Sequence, residues 1–268
     1  AQERHETREV RRVRLHTHVS HTRAQHPREY ERQGRIGASC RSYSTDSLVF
    51  RRRAHNGVMT KIALITGTSS GMGLHAAIAL AKAGATVVAT VRSFDKAGEL
   101  NEAAAKAGVT LDVRELDVTD HGAGEKLVNA VVEQYGRLDV LVNNAGRGCV
   151  ATAETLDMLT IKEQMKTNYF SAVALTQAAL PHMRKATSGM ILTVTSVGGA
   201  VGQPFADAYC GAKFAVEGFM QSLSTVAAAF GIKVSVIEPA AVATNFVENV
   251  QRDDAGPYTD LLAAYMKR

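Results

Sequence analysis

The chain has 268 residues, of which 46% are hydrophobic, 6% aromatic and none Trp, and its formal charge is +5. That length suits one globular domain, and the lack of any run of 18 or more apolar residues excludes a membrane-spanning helix in the sequence. The charge is uneven: residues 1–58 hold 13 Arg and six acids, a formal +7, whereas residues 59–268 hold 18 basic and 20 acidic residues, a formal −2.

In chain order, the first segment is the basic one. Only 16 of its 58 residues are hydrophobic and six of the nine His lie in it, so it is expected to be a disordered extension with no core of its own. It lacks the apolar stretch of a secretory signal, and Glu3, Glu6, Glu9, Glu29 and Glu31 count against a transit peptide. Arg51, Arg52 and Arg53 are its densest basic point. A nucleic-acid-binding arm is one reading of them, but three consecutive Arg are more often a solvated charge run, so nucleic acid is not the favoured partner.

From Thr60 onward, short apolar runs alternate with Ala-rich stretches of helical period. Strands are expected at Ile62–Thr66, Val87–Val91, Leu111–Leu116, Val140–Val142, Ile191–Val194 and Val234–Ile237. Helices are expected at about 71–84, 96–107, 121–136, 156–185 and 206–230, ending at Gly84, Gly108, Gly136, Gly189 and Gly231. Strands alternating with helices predict an α/β fold with a doubly wound parallel sheet and right-handed crossovers.

The first strand runs into Thr66-Gly67-Thr-Ser-Ser-Gly71-Met-Gly73 and then a helix. Glycines there permit a tight turn and let backbone N–H groups approach a pyrophosphate at the helix N-terminus. Gly67, Ser69, Ser70, Gly71, Met72 and Gly73 are therefore expected to bind a dinucleotide. At the end of the second strand an NAD site would place an acid on the ribose 2′-hydroxyl. Val91 and Arg92 stand there instead, and a guanidinium pairs with a 2′-phosphate, so NADP(H) is preferred over NAD(H). A solvated loop Arg is the competing reading. Asn143-Asn144-Ala145-Gly146 closes the fourth strand, where it could line a ligand crevice or form a plain turn.

Ser196 closes the fifth strand, and Tyr209 and Lys213 follow at i and i+4 of a helix, on one face. An ammonium near a phenol favours the phenolate, which would let Tyr209 act as a general base. Seven Tyr and 11 Lys give about 0.3 such pairs by chance, so the strand-end Ser is what strengthens the pair.

Together, Thr66-Gly67-x-x-x-Gly71-x-Gly73, Asp117, Asn143-Asn-Ala-Gly146, Asn168, Ser196, Tyr209-x-x-x-Lys213 and Pro239-x-x-x-x-Thr244 resemble the short-chain dehydrogenase/reductase family in order and spacing. The resemblance implies a Rossmann-type three-layer α/β/α subunit that interconverts a secondary alcohol and a ketone or aldehyde by hydride transfer. Tyr209 would be the acid/base, Ser196 would bond the substrate oxygen, and Lys213 would lower the Tyr pKa and hold the nicotinamide ribose. Asn168 would anchor a water-linked proton relay. Asp117 and Val118 would contact adenine, Asn143 to Gly146 would support the crevice, and Pro239 and Thr244 would complete the cofactor site. Ala89-Thr-Val-Arg92 and Tyr209-Cys-Gly-Ala-Lys-Phe-Ala-Val-Glu-Gly218 are similar to the branch with hydroxysteroid and retinol dehydrogenases, implying a small hydrophobic alcohol or carbonyl substrate. The helices at 156–185 and 206–230 match those that pair subunits in the family, implying a homodimer or homotetramer.

Two departures from the family stand out. The common Pro-Gly is Pro239-Ala240 here, and Ala restricts positive φ. Only 29 residues follow Pro239, so the expectation is a domain over 59–268 that lacks the family's last strand, with residues 1–58 an addition to it. A cofactor-binding but catalytically weak regulator is the alternative this raises. His75, His121 and His182 form no ligand spacing, so no metal is expected. Cys40, Cys149 and Cys210 are odd in number and widely spaced, which points to a reducing, cytoplasmic setting.

Overall fold

The computed structural model describes residues 60–240, 250–252 and 255–266. The basic segment, Arg51 to Arg53, Cys40 and Thr244 lie outside the described residues.

Six parallel strands form one sheet: β1 (Ile62–Ile65), β2 (Thr86–Val91), β3 (Asp112–Glu115), β4 (Val140–Asn143), β6 (Gly189–Val194) and β7 (Ile232–Ile237). Their spatial order is β3-β2-β1-β4-β6-β7. The chain winds outward in one direction through β2 and β3, then returns to the other side of β1, so the strand order reverses between β1 and β4. That switch point opens a crevice at the carboxyl ends of the strands, where both Gly67 and Asn144 stand.

The uninterrupted apolar runs arise because both sheet faces are covered. In β1, Ala63 and Ile65 pack with Leu74 and Ala77 of α1 (Gly71–Lys82) and Leu100 of α2 (Gly98–Ala107). Ile62 and Leu64 face the other cluster, with Val128 of α3 (His121–Tyr135), Leu175 of α5 (Ser171–Lys185) and Met220 of α6 (Asp207–Ala228). The weakest expected strand, β3, is the sheet edge and only partly buried.

Two expectations change in detail. The single helix over 156–185 is broken: α4 (Met158–Met165), capped by Asp157, joins α5 through a π-helical segment, Lys166–Phe170. There the Asn168 side chain donates to the backbone oxygen of Gln164 at 3.2 Å, competing with the regular helical pattern. Gly189 does not end a helix; α5 stops at Lys185, and Gly189 begins β6. It is small because an added Cβ would lie 2.5 Å from the Met183 sulfur.

A second pairing was not legible in the sequence: β5 (Cys149–Val150) pairs with β8 (Gln251–Arg252) as a separate two-stranded sheet. Within the described residues β7 is the last strand of the main sheet, and Ile237 on it is 45% exposed. A final helix, α7 (Thr259–Met266), sets Tyr265 against Phe205, ring centroids 5.8 Å apart.

Candidate active site

The glycine-rich loop is zipped to the β4 loop from beneath. Thr66 Oγ1 accepts from the backbone N–H groups of Asn144 and Ala145, both at 3.0 Å. The Asn144 side-chain amide donates back to the carbonyls of Thr66 (2.8 Å) and Gly67 (2.9 Å). Gly73 fits only because it lacks a Cβ, which would lie 2.2 Å from the Gly67 oxygen. At the start of α1, Ser70 makes no side-chain cap and the first turn holds no acid. Those N-terminal N–H groups are thus available to an anion such as a pyrophosphate.

A crevice of about 1110 Å³ runs from this loop along the strand ends. It is lined by Gly67, Ser69, Ser70, Gly71, Met72 and Gly73, and at one end by Arg92, Asp117 and Val118. Arg92 is exposed. The Asp117 carboxylate accepts from the backbone N–H (2.9 Å) and the hydroxyl (2.8 Å) of Thr119. The Thr119 backbone bond, then its hydroxyl and the nearby Arg92 and Lys166 charges, hold that carboxyl below its ordinary value against a smaller effect of burial. Ser93, Asp95 and Lys96 also line this end, with Lys96 3.6 Å from Asp95. Sequence reading missed them because a 3₁₀ turn over Phe94–Lys96 brings them to the crevice.

The opposite end holds Asn144, Ala145, Gly146, Ser196, Tyr209, Lys213, Pro239 and Ala240. Tyr209 is 8% exposed and Lys213 4%. Burial pushes the Tyr209 phenol above its ordinary value, opposed by a hydrogen bond with Ser196. The net shift of the phenol is upward, because burial is its largest cause. The Lys213 ammonium donates to the Val194 carbonyl at 3.0 Å and lies 5.7 Å from the Tyr209 ring centroid. Burial lowers the Lys213 pKa to about 8, with Glu217 opposing the shift. Ser196 Oγ also accepts from the Gly198 N–H at 3.0 Å, capping a short 3₁₀ turn, Val197–Gly199.

Asn168 is buried and does not line the crevice. Its amide clamps the loop from behind, donating to the Arg147 carbonyl (3.0 Å) and accepting from the Arg147 N–H (3.1 Å), and it donates to Gln164 Oε1 at 2.9 Å. Gly146 is tight against it: an added Cβ would lie 2.8 Å from Asn168 Oδ1 and 3.5 Å from Lys213 Nζ. Asn143 is a core residue, its amide donating to Thr176 (3.2 Å) and Thr193 (3.3 Å). Arg147, Thr167, Thr195 and Gln203, none of them singled out from sequence, also line this end. Among the described residues, no three His, Cys, Asp or Glu side chains gather as a metal site, and no helix is long and apolar enough to cross a membrane.

An open α/β crevice at the strand switch point, with a glycine-rich helix N-terminus at its centre and a buried Tyr–Lys pair at one end, defines a doubly wound, Rossmann-type class of fold. The short chain dehydrogenase family model matches residues 61–255, and the chain belongs to that family. It is 42% identical over 187 residues to retinol dehydrogenase 8 of Bos taurus, a match covering 68% of this chain and 59% of the bovine protein. It is 40% identical over 201 residues to estradiol 17-beta-dehydrogenase 1 of Rattus norvegicus, covering 73% of this chain and 58% of the rat protein. The chain therefore spans a little under three-fifths of the length of these two curated relatives. A crystal structure of actinorhodin polyketide ketoreductase with NADPH matches with a TM-score of 0.66 and 35% identity, covering 69% of this chain and 72% of that one.

Proposed function

We propose that this protein is an NADP(H)-dependent oxidoreductase that interconverts a secondary alcohol with a ketone, or reduces an aldehyde, at the Ser196–Tyr209–Lys213 end of the crevice. The observation that carries this reading is the meeting of those three residues in one crevice with the open N-terminus of α1 and Arg92. The cofactor fits the residues present: Gly73 lets the loop close against the first turn of α1, and no side-chain cap from Ser70 and no first-turn acid compete with a pyrophosphate at the helix end. When bound, the nicotinamide would supply or accept the hydride.

The rest is work for the chain's own side chains. In reduction, Tyr209 donates its phenolic proton to the substrate oxygen, and its raised pKa keeps that proton in place at neutral pH. The Ser196 hydroxyl orients the same oxygen. Lys213, charged below about pH 8, steadies negative charge on the phenol as the proton leaves. Asn168 holds the Gly146–Arg147 backbone that forms the crevice wall. Arg92 and its neighbour Lys96 supply positive charge for a 2′-phosphate, in keeping with the NADPH in the ketoreductase structure.

A small hydrophobic alcohol or carbonyl compound is the proposed substrate class, drawn from the retinol and estradiol dehydrogenases among the relatives. A homodimer or homotetramer is proposed from the exposed Leu159, Phe170 and Phe214 on α4, the π segment and α6. The two described cysteines, Cys149 and Cys210, are buried and form no disulfide, which suits the proposed cytoplasmic setting.

The test is turnover of a panel of carbonyls and alcohols with NADPH and NADH and their oxidised forms. The expected result is NADPH-preferring reduction that drops at least about 100-fold in Tyr209→Phe, with NADPH binding, followed by fluorescence titration, changed only a few fold. Undiminished turnover in that variant would defeat the mechanism.

A further inference from the structure

Glu217 carries a charge that the chemistry above does not use, yet it is only 4% exposed. A buried carboxylate is costly unless its neighbours compensate it. One of its oxygens accepts from the Thr195 hydroxyl, and the other accepts from the Gln221 side-chain amide at 3.4 Å. Its Cγ backs Gly199, where an added Cβ would stand 3.0 Å away. Thr195 lies between Val194, whose carbonyl accepts from Lys213, and Ser196. Lys213 itself precedes Glu217 by one turn of α6, so the two share a helix face. One carboxylate therefore reaches the strand end that presents Ser196, the turn that follows it, and the neighbourhood of Lys213.

We propose that Glu217 is a positioning residue: its negative charge is the counter-charge that keeps the buried Lys213 ammonium protonated, while its oxygen clamps Thr195 at the end of β6. This inference rests on the reading of Ser196, Tyr209 and Lys213 given above. Burial works against the Lys213 cation, and the Glu217 field is what opposes it. The other ionisable groups on the packed elements are differently placed. On α6 itself, burial holds the Tyr209 phenol above its ordinary value, Cys210 Sγ accepts from the Gln203 N–H at 3.4 Å, and Asp207 at the helix start is exposed. On α4, Lys162 is exposed and Glu163 pairs with Arg147 of the β4 loop at 3.5 Å. Lys166 in the π segment, Lys233 on β7 and the basic end of α5 face outward wholly or in part.

The charge and the clamp are separable. Glu217→Gln keeps the volume and an acceptor for Thr195 but removes the charge; Thr195→Val removes the clamp and keeps the charge. The measurement is a pH titration of the Lys213 side chain by NMR in the full 268-residue chain labelled with ¹³C-lysine, without cofactor, Lys213 being assigned with Lys213→Arg. In Glu217→Gln the midpoint is expected to fall by about 1 pH unit or more, as for the loss of a nearby opposite charge beside a buried ionisable group. In Thr195→Val and in Glu217→Asp it is expected to stay near the wild-type value. An unmoved midpoint in Glu217→Gln, or an equal fall in Thr195→Val, would overturn the proposal. Should Glu217→Gln fail to fold, wild type still decides: a Lys213 midpoint at about pH 5–6, as for buried lysines without a counter-charge, would overturn it.

Kinetics then ties the effect to turnover. Reduction by the wild type is expected to decline as pH rises through about 8, where Lys213 loses its proton, and in Glu217→Gln this decline begins at lower pH by the same interval. A wild type that turns over nothing in the panel would defeat the functional reading, while the NMR comparison would still judge Glu217.

Discussion

Arg92 shows how much a single side chain is asked to decide. It stands at the end of β2, exposed, on the rim of the crevice, with its field reaching Asp117. If it holds a 2′-phosphate, Arg92→Ala removes a charge-assisted bond of about 1.5–3 kcal/mol. The Michaelis constant for NADPH should then rise about tenfold or more, with that for NADH little changed; an equal loss for both cofactors would contradict the assignment. Asp95, three positions on, points the other way, since an acid beside the ribose is what an NAD site employs. Its pairing with Lys96 and its hydrogen bond with Ser93 leave it engaged locally. Tyr209 is the second case where one residue's surroundings matter more than its identity. The i, i+4 spacing placed Lys213 on the right face, but burial, not the ammonium, dominates the phenol's pKa.

Among the elements, the joint between the β1 and β4 loops does most to shape the crevice. Gly73 sits in the first turn of α1 with the Gly67 carbonyl where its Cβ would be, and the contact is to backbone, which cannot swing aside. Gly73→Ala is therefore expected to push the loop off its seat and weaken NADPH binding at least about tenfold while the strands remain folded, as read by cofactor titration beside circular dichroism. The π segment over Lys166–Phe170 is the complementary case. Helical periodicity ran straight through it, because a one-residue widening leaves hydrophobic spacing almost unchanged. Asn168 was legible as a site residue by resemblance, but its work here is to hold Arg147 and Gln164, which only folded geometry displays.

At the scale of the molecule, the sheet is anchored at the amino ends of its strands by Asp139. Its carboxylate accepts from the Ile62 N–H (2.9 Å), from Lys61 (2.9 Å) and from Arg137 (2.5 Å), tying β1 to the residue before β4. Burial pushes the Asp139 pKa up, but the bonds from Arg137, Ile62 and Lys61 outweigh it and hold the carboxyl below its ordinary value. A lowered folded-state pKa means stabilisation that is present above the unfolded value, near pH 4, and lost as pH falls through the folded one. Asp139→Asn is expected to cost about 1–3 kcal/mol at pH 7, since Lys61 and Arg137 remain partly solvated. Chemical denaturation should show that gap closing as the pH drops below about 4; a gap independent of pH would contradict the assignment.

The alternation of short buried runs with Ala-rich helices was enough by itself to determine a doubly wound parallel sheet, because each strand must be apolar on both faces and each crossover needs a helix. Gly67, Gly71 and Gly73, Ser196, and Tyr209 with Lys213 were legible as candidate site residues for the same kind of reason: their placement in one crevice depends on local spacing along one strand end or one helix face. What only the tertiary structure decided lies between elements distant in sequence. The pairing of Cys149–Val150 with Gln251–Arg252 spans about a hundred residues, the core placement of Asn143 depends on Thr176 and Thr193, and the burial of Glu217 against Thr195 needs α6 docked on β6. No periodicity records such contacts, because they are set by which surfaces exclude water together and not by the order of residues along the chain.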